Sequence, residues 1–597
     1  QSMKKNDVFC ENDLYSLLSR AGRPLHLDDV LRIGRYSRKL KRDVLNALQK
    51  LGAAGYALRL KGGRWAFSEN LKRCVGRLAT QRNGAAYVSS EVGQDIYVAP
   101  EHICGAWNGD IVEVLLFPGD SHGKKEGKVC RIVKRSCMSL AVRVMHKSRE
   151  GCFLCHPCDP RMAFDLLVNA EDLPRVPLPM ELLEVVPQEA RQGKDDRPLW
   201  LARARSFLGR ESDAATQERL TKITYGVPTV FPDNVVAEAE KASANAALAG
   251  LEDLRGELLV TIDGEDARDF DDAICVCASG KGWRLIVAIA DVSHYVLPGS
   301  ALDKEARERG NSFYFPLSVE PMLPEALCND ACSLQPGKER RCMAVDMQLD
   351  HAGNILSARF SNAVMASKAR LTYLQVQAIF NDPECDSAKN LEAAAPGVPG
   401  MLRESKALAG ALIARRDSRG GLNLDLPEAE FGVEDDGTER KVTEIRNRER
   451  LFSHRMIEAF MVRANECVAE YLSRRGVPML YRTHPDPDPA KLEALARALR
   501  TACPGMDLPV LNDRLPSRVW LQEILQKTGG DNGFVIASLV LRSLMQARYT
   551  TEKDGHFGLA SACYCHFTSP IRRYADLANH RALKYALGMD EYGISLR

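Results

Sequence analysis

Asp263-Gly264-Glu265-Asp266-Ala267-Arg268-Asp269-Phe270-Asp271-Asp272 sets five aspartates and a glutamate between two apolar runs, Leu258 to Ile262 and Ala273 to Val276. A plain turn between strands has no need of that charge. Carboxylates held this close repel one another, so a fold that converges them adds cations or leaves some protonated. Oxygen-rich clusters suit Mg²⁺ or Mn²⁺. Magnesium in such a site keeps positions for water and a phosphate, which makes phosphodiester hydrolysis the first chemistry to test. Asp263 stands apart from the tight group Asp269, Asp271 and Asp272, so residues six to nine apart can meet across a loop and hold one or two metals. Glu265 and Asp266 read as the solvated members of the run.

Around this loop the chain reads as a large α/β unit from Leu254 onward. Trp283 to Asp291 is a buried-strand run, and longer helical patterns cover Leu451 to Tyr471 and Asn532 to Tyr549. A further helical stretch is expected around Val236 to Leu248. Asp382 to Val398, with its prolines and acids, reads as a surface excursion.

Upstream the pattern changes twice. Up to about residue 72 it is helix, helix, helix, hairpin: Leu14 to Arg20, Leu27 to Ile33, Ser37 to Leu51, then Tyr56 to Leu60 and Arg64 to Phe67 around Lys61-Gly62-Gly63. This is the order of a winged helix-turn-helix, a module that binds nucleic acid or serves as a packing unit. Residues 1–72 hold 15 Lys/Arg against 7 Asp/Glu, which suits a polyanionic partner but equally describes a solvated face. From Val75 to Arg135 short strands follow, Gly76 to Leu78, Gly84 to Val88, Asp95 to Val98 and Asp110 to Leu115, as in a small barrel. The opening stretch is similar to a cold-shock-type OB barrel, in which Tyr87 and Tyr97 are either base-stacking or core residues. A second β-rich block from Leu140 to about Val186 suggests a second such barrel in tandem. Inside it, Cys152-Phe153-Leu154-Cys155-His156 with Cys158 spells a haem or zinc pattern. Haem attachment needs export machinery and zinc needs a fourth ligand, so incidental cysteines on a strand and turn are the preferred reading.

The bulk numbers agree with a multidomain globular protein: 597 residues, 45% hydrophobic, 27% charged, net charge +2. We find no apolar run long enough to span a membrane and no signal-peptide pattern. Gln1-Ser2-Met3 reads as a cloning remnant. Eighteen cysteines scattered without a framework point to reduced thiols in the cytoplasm, with no disulfides expected.

With these motifs in view, the run Thr261 to Ala273 resembles the signature of the ribonuclease II and ribonuclease R family of processive 3′-to-5′ exoribonucleases. Further stretches follow in the family's order: Ala288 to Ser293, Tyr314-Phe315-Pro316, Met322-Leu323-Pro324, Cys332-Ser333-Leu334, Ala369 to Tyr373, Tyr481 to His484, His556 to Leu559, and His566 to Tyr574. The resemblance spans residues 254 to 586, and the upstream modules are similar to the ribonuclease R arrangement. It implies a multidomain fold with a winged helix at 1–72, cold-shock-like OB barrels at 73–137 and 138–220, and a large α/β (α+β) RNB catalytic domain at 221–597. It also implies that Asp263, Asp269 and Asp272 bind metal, that Asp271 is essential for cleavage and positions metal, and that Arg572 lies beside the scissile phosphate. A guanidinium fork suits that last task, because it matches phosphate oxygens. By the same resemblance Tyr314 and Tyr373 clamp or stack terminal nucleotides, Glu458 lies near the RNA end, and Arg573 contacts RNA or the acidic cluster.

His484 and His556 are expected to be structural or RNA-contacting, since a cation that activates water removes the need for a histidine base. Leu424 falls where some relatives carry a stacking aromatic. The chain stops at Arg597, about where relatives begin an S1 barrel and basic tail, so RNA affinity and processivity are in question while hydrolysis should survive. The expected activity is metal-dependent hydrolysis of single-stranded RNA to 5′-nucleoside monophosphates by a monomer. The alternatives are a non-catalytic RNA-binding or chaperone protein, and a DNA-binding regulator working through the winged helix.

Overall fold

The computed structural model describes residues 10–89, 95–117, 125–148, 151–192, 198–245, 247–424, 428–435, 437, 440–502, 517–527 and 533–589. They fall into two compact units: residues 1–227 with 434–441, and residues 228–433 with 442–597.

The first unit begins with helices Glu11–Ala21, Leu27–Ile33 and Lys41–Ala53 and a three-stranded sheet in which Arg64–Phe67 lies between Leu25–His26 and Ala57–Arg59. Leu14 and Leu18, and Val44 and Leu48, repeat at i and i+4, so each helix turns one apolar stripe onto Trp65 and Phe67. Two closed five-stranded barrels follow. In the first, formed by Arg73–Thr80, Ala86–Ser89, Ile96–Val98, Ile111–Leu116 and Lys125–Lys134, residues alternate inward and outward: Leu78, Val88, Val98, Val112 and Val129 fill the interior. Gly127 is required there, because a Cβ would lie 2.5 Å from Val114 Cγ1 and 2.6 Å from the Leu115 carbonyl oxygen.

The second barrel comprises Leu140–Lys147, Cys152–Pro157, Asp165–Asn169, Leu182–Gln192 and Pro198–Gly209. It therefore runs past the β-rich block read to about Val186 and stays within the bounds 138–220 expected for the barrel. Pro187 cannot donate to a ladder, and the register shift between Pro187 and Glu189 lets the strand continue beyond it. Cys155 is buried in this barrel, while His156, next along the strand, pairs its Nδ1 with Asp165 at 2.7 Å.

The second unit is built on a five-stranded sheet in the order Glu252–Asp253, Ile355–Ala366, Glu339–Asp350, Gly282–Ala290, Asp272–Ser279. Leu285 to Ala290 are all at most 1% exposed, as a strand covered on both faces demands. Helix Val398–Ser418 packs on the edge strand Asp272–Ser279 and on helix Phe452–Arg474. A satellite core joins Pro489–Ala502, Ser517–Lys527 and Gly533–Ser543.

Four local readings change. The helix expected over Val236–Leu248 is Asp233–Ser243, and the one over Leu451–Tyr471 extends to Arg474. The helix expected to reach Tyr549 ends at Ser543, and Arg548–Thr550 pairs instead with Tyr481–Thr483. Asp382–Val398 contains the helix Asp386–Ala394, which buries Ala388 and Leu391 and has an acidic first turn. Among the described residues no helix is long and apolar enough to cross a membrane.

Candidate active site

The acidic loop is held by its backbone, which leaves its carboxylates free to converge. Its entry strand Thr261–Asp263 runs parallel to Arg370–Thr372, with Asp263 beside Thr372. The Arg370 guanidinium then donates to the carbonyls of Gly264 and Glu265. Ser333 Oγ donates to the Arg268 carbonyl at 2.6 Å and accepts from the Phe270 amide at 3.1 Å, while Leu334 N donates to the Phe270 carbonyl at 3.0 Å. Buried Phe270 plugs the loop into the core. Ala290 N donates to the Asp271 carbonyl at 2.8 Å, and Asp272 starts the edge strand opposite Ile289. Glu265 and Asp266 are exposed, as a solvated role requires.

Asp271 is 4% exposed and meets the distant Ser569-Pro570-Ile571-Arg572 segment. Its Oδ1 accepts from the Ile571 amide at 2.9 Å and its Oδ2 from Arg572 Nε at 3.2 Å. Burial, opposed by the charge of Arg572, pushes Asp271 up to about 7. Burial and then the charge of Asp269 raise Asp263, and burial and then the charges of Asp263 and Asp271 raise Asp272. These mutual influences mark the four aspartates as one electrostatic group. The pattern is that of carboxylates brought together without enough positive charge to balance them.

Arg572 is half-exposed, at 46%, and its Nη2 donates to Ser569 Oγ at 3.1 Å. It lines an open cleft of about 280 Å³ with Gly310, Asn311, Ser312, Tyr314, Tyr549 and Arg573. Tyr314, 53% exposed, donates its hydroxyl to Asp269 Oδ2 at 2.9 Å, so its ring stands between the cleft and the carboxylates. Arg573 borders the cleft too, but its guanidinium is gripped by buried Asp576 at 2.9 and 2.7 Å. Tyr373 feels the charges of Asp272 and Asp263, and its ring is stacked on His454 with centroids 4.1 Å apart.

The remaining sequence-predicted residues do not line this cleft. Glu458 accepts from Arg416 at 2.7 Å and Arg450 at 2.6 Å, so both of its oxygens are occupied by ion pairs. Leu424 packs against the satellite helical core. His484 Nδ1 and His556 Nδ1 accept from the amides of Gly558 and Leu559, which fixes both rings against the backbone of the loop that follows His556. In the first unit, Tyr87, 43% exposed, faces Tyr97 across two strands with ring centroids 5.6 Å apart. Sequence reasoning missed Tyr549, whose hydroxyl pairs with His566 Nδ1 at 2.7 Å at the cleft wall. Its place in an apparent helical pattern concealed it.

Among the described residues, no three acidic, histidine or cysteine side chains stand in ready-made metal-ligand geometry. The donor chemistry nevertheless fits a hard divalent cation. The group offers carboxylate oxygens only, and Asp263 Oδ2 is buried without a hydrogen-bond partner. An orphaned buried carboxylate oxygen beside three like charges is a position that a cation satisfies.

Residues 251–589 match the RNB domain model, and residues 76–132 match the ribonuclease B OB domain. Ribonuclease R of Escherichia coli (strain K12) is 35% identical over 532 residues, covering 88% of this chain and 63% of that protein. The chain thus spans somewhat less than two thirds of that relative. A structure of Mycoplasma genitalium RNase R in complex with ribose methylated single-stranded RNA matches with TM-score 0.75 and 28% identity, covering 87% of this chain and 80% of that one. A yeast pseudonuclease shares the fold at TM-score 0.64 and 17% identity, covering 92% and 71%. Since the RNB model alone accounts for more than half of the sequence, the chain belongs to the RNB-domain family that includes these ribonucleases R.

Proposed function

We propose that this chain is a processive 3′-to-5′ exoribonuclease that hydrolyses single-stranded RNA to 5′-nucleoside monophosphates with Mg²⁺ or Mn²⁺. The observation that carries the reading is the pairing of Asp271 with Arg572, 301 residues apart, at the edge of a cleft and within one group of four aspartates. The fold by itself decides nothing, because a pseudonuclease has it.

Asp263, Asp269, Asp271 and Asp272 would hold the cation, which when bound supplies neutralising charge and a water of lowered pKa. Asp271 keeps its side chain fixed between the Ile571 amide and Arg572. Arg572, steered through Nε and Nη2, presents its remaining donors to the phosphate, where charge grows in the transition state. Tyr314 stacks on a terminal base beside the cleft. Tyr373, backed by His454, and Arg573, stiffened by Asp576, line the RNA path, while Glu458 acts by orienting Arg416 and Arg450. Tyr87 and Tyr97 offer a stacking surface to single-stranded RNA. The setting we infer is a cytoplasmic monomer, in keeping with free cysteines throughout the described residues.

Incubating the protein with 5′-labelled single-stranded RNA and Mg²⁺ or Mn²⁺ tests the reading. Conversion of full-length RNA to a short 5′-labelled end fragment without accumulated intermediates, with unlabelled mononucleotides recovered by chromatography, is expected, and chelation stops it. Tight RNA binding with no mononucleotide release at any cation concentration would favour the non-catalytic RNA-binding alternative.

A further inference from the structure

Helices Val398–Ser418 and Phe452–Arg474 face each other across a small open cavity whose wall contains no residue of the acidic loop. One contributes Leu412, Arg415, Arg416 and the following Arg419; the other contributes Ala459, Val462, Arg463 and Glu466. Both sets follow i, i+3, i+4, i+7, so each is a single helix face. An interhelical face of this kind is normally apolar. Here four guanidiniums meet one carboxylate in the cavity wall.

The charges are not balanced by what surrounds them. Glu466, 3% exposed, accepts from Arg463 at 2.8 Å and Arg419 at 3.3 Å. Arg416 pairs with Glu458, but Glu458 is shared with Arg450. Arg415 donates to Asn354 Oδ1 at 2.9 Å and receives attraction from Glu466 and Asp350 against repulsion from Arg463 and Arg419. Among the described residues, the four arginines of the wall thus share Glu466, Glu458 and Asp350. The C-terminal dipole of Val398–Ser418 accounts for about half a charge more.

The donors are unsatisfied as well. Arg416 and Arg463 are 8% and 7% exposed, and the buried Nε of each, with that of Arg419, has no hydrogen-bond partner. Guanidinium donors left bare inside a protein are costly, and three around one cavity call for an acceptor there.

We propose that this arginine cavity is a second anion site that takes a phosphate group, either free or on a nucleic-acid backbone. The enclosed space, about 20 Å³, has room for one oxygen-sized group. One phosphate oxygen enters it between the guanidiniums, which must turn to bring a covered Nε toward it, and the others meet Arg415 and Arg419 at the mouth, where the Arg419 side chain is 32% exposed. Planar guanidiniums and tetrahedral oxyanions match in this way. No residue of this wall belongs to the carboxylate centre, although Arg416 is also the partner of Glu458, which the proposed function uses.

Inorganic phosphate titrated calorimetrically into wild-type protein and Arg419→Gln tests it, with Arg419→Lys as the variant that keeps charge. Saturable binding weakened about tenfold or more in Arg419→Gln is expected, the loss of one charge-assisted bond. Equal affinity in both proteins, or no saturable binding to wild type, overturns the proposal. Tungstate-soaked crystals with density between Arg416, Arg419 and Arg463 support it, and density confined to the Arg572 cleft refutes it. Repeating the titration with saturating RNA oligonucleotide separates the sources: phosphate excluded by RNA marks a backbone site, and phosphate still bound marks a site for the free anion. Arg572→Gln should leave the calorimetric signal of this cavity unchanged even if RNA hydrolysis proves to lie elsewhere.

Discussion

Replacing Asp271 with Asn changes one charge at the contact on which the proposed chemistry depends. Asn keeps an acceptor for the Ile571 amide, now 2.9 Å away, but sets an amide donor against Arg572 Nε where a carboxylate stood at 3.2 Å. A charge-assisted hydrogen bond contributes roughly 1.5–3 kcal/mol. Here that figure is discounted, because Arg572 is 46% exposed and can turn to water. Removing one of four mutually repelling carboxylates offsets part of the remainder, so stability should change by no more than about 1 kcal/mol. Activity should fall far more. Loss of one preorganised group at a transition-state charge lowers kcat by about 10²–10³-fold, and a weakened cation site adds to that. Single-turnover decay of a labelled oligonucleotide, with filter binding and thermal unfolding on the same samples, checks the prediction. The expected pattern is lost turnover, near-normal unfolding and persistent RNA binding. Turnover within about tenfold of wild type would remove Asp271 from the chemistry, since a transition-state contact contributes more than that.

Arg572→Lys should retain RNA binding and lose about 10²-fold in kcat, because an ammonium lacks both the Nε that meets Asp271 and the planar fork; a near-normal kcat would show that only charge matters. Tyr314→Phe should preserve the length of the final undigested fragment, whereas Tyr314→Ala should lengthen it and weaken terminal binding by about 10–100-fold, the equivalent of 1–3 kcal/mol of stacking. Gel analysis of end products separates ring from hydroxyl, and identical limit products would mean that the residue only orients Asp269. Stability should fall on acidification from about 6.5 toward 4, because His580 is buried neutral: burial holds it down to about 4, and the unfolded chain takes up the proton first. Urea unfolding at stepped pH should show up to about 3 kcal/mol lost at this residue and a flatter profile in His580→Gln, whose amide can still donate to the Phe567 carbonyl. Parallel profiles for the two proteins would contradict the assignment.

The sequence was most readable where charge or alternation forced the outcome. The acidic loop could only be a convergence of carboxylates or an exposed turn, and Leu285 to Ala290 had to be a strand covered on both sides. Whether Tyr87 was base-stacking or core stayed open in the sequence, and the inward and outward alternation of Ala86–Ser89 and Ile96–Val98 in the barrel puts it outside. Legibility failed where tertiary pairing overrode local pattern. Lys125–Lys134 is too charged to read as a strand until Val129 enters the barrel. Tyr549 looked helical because nothing local announces the return of the chain to Tyr481–Thr483. For Glu458 the family resemblance suggested a place near the RNA end, and the structure adds its ion pairs with Arg450 and with Arg416, 42 residues away. Such long-range ion pairs leave no periodic trace.

Diffraction from Mn²⁺-soaked crystals holding a short single-stranded oligonucleotide, recorded at the manganese edge, tests the central claim most directly. We expect an anomalous peak about 2.0–2.2 Å from oxygens of the Asp263, Asp269, Asp271 and Asp272 group, a coordination distance for a hard six-ligand cation, with the 3′-terminal phosphodiester beside Arg572. Manganese bound elsewhere, or an oligonucleotide whose 3′ end lies away from that cleft, would contradict the account.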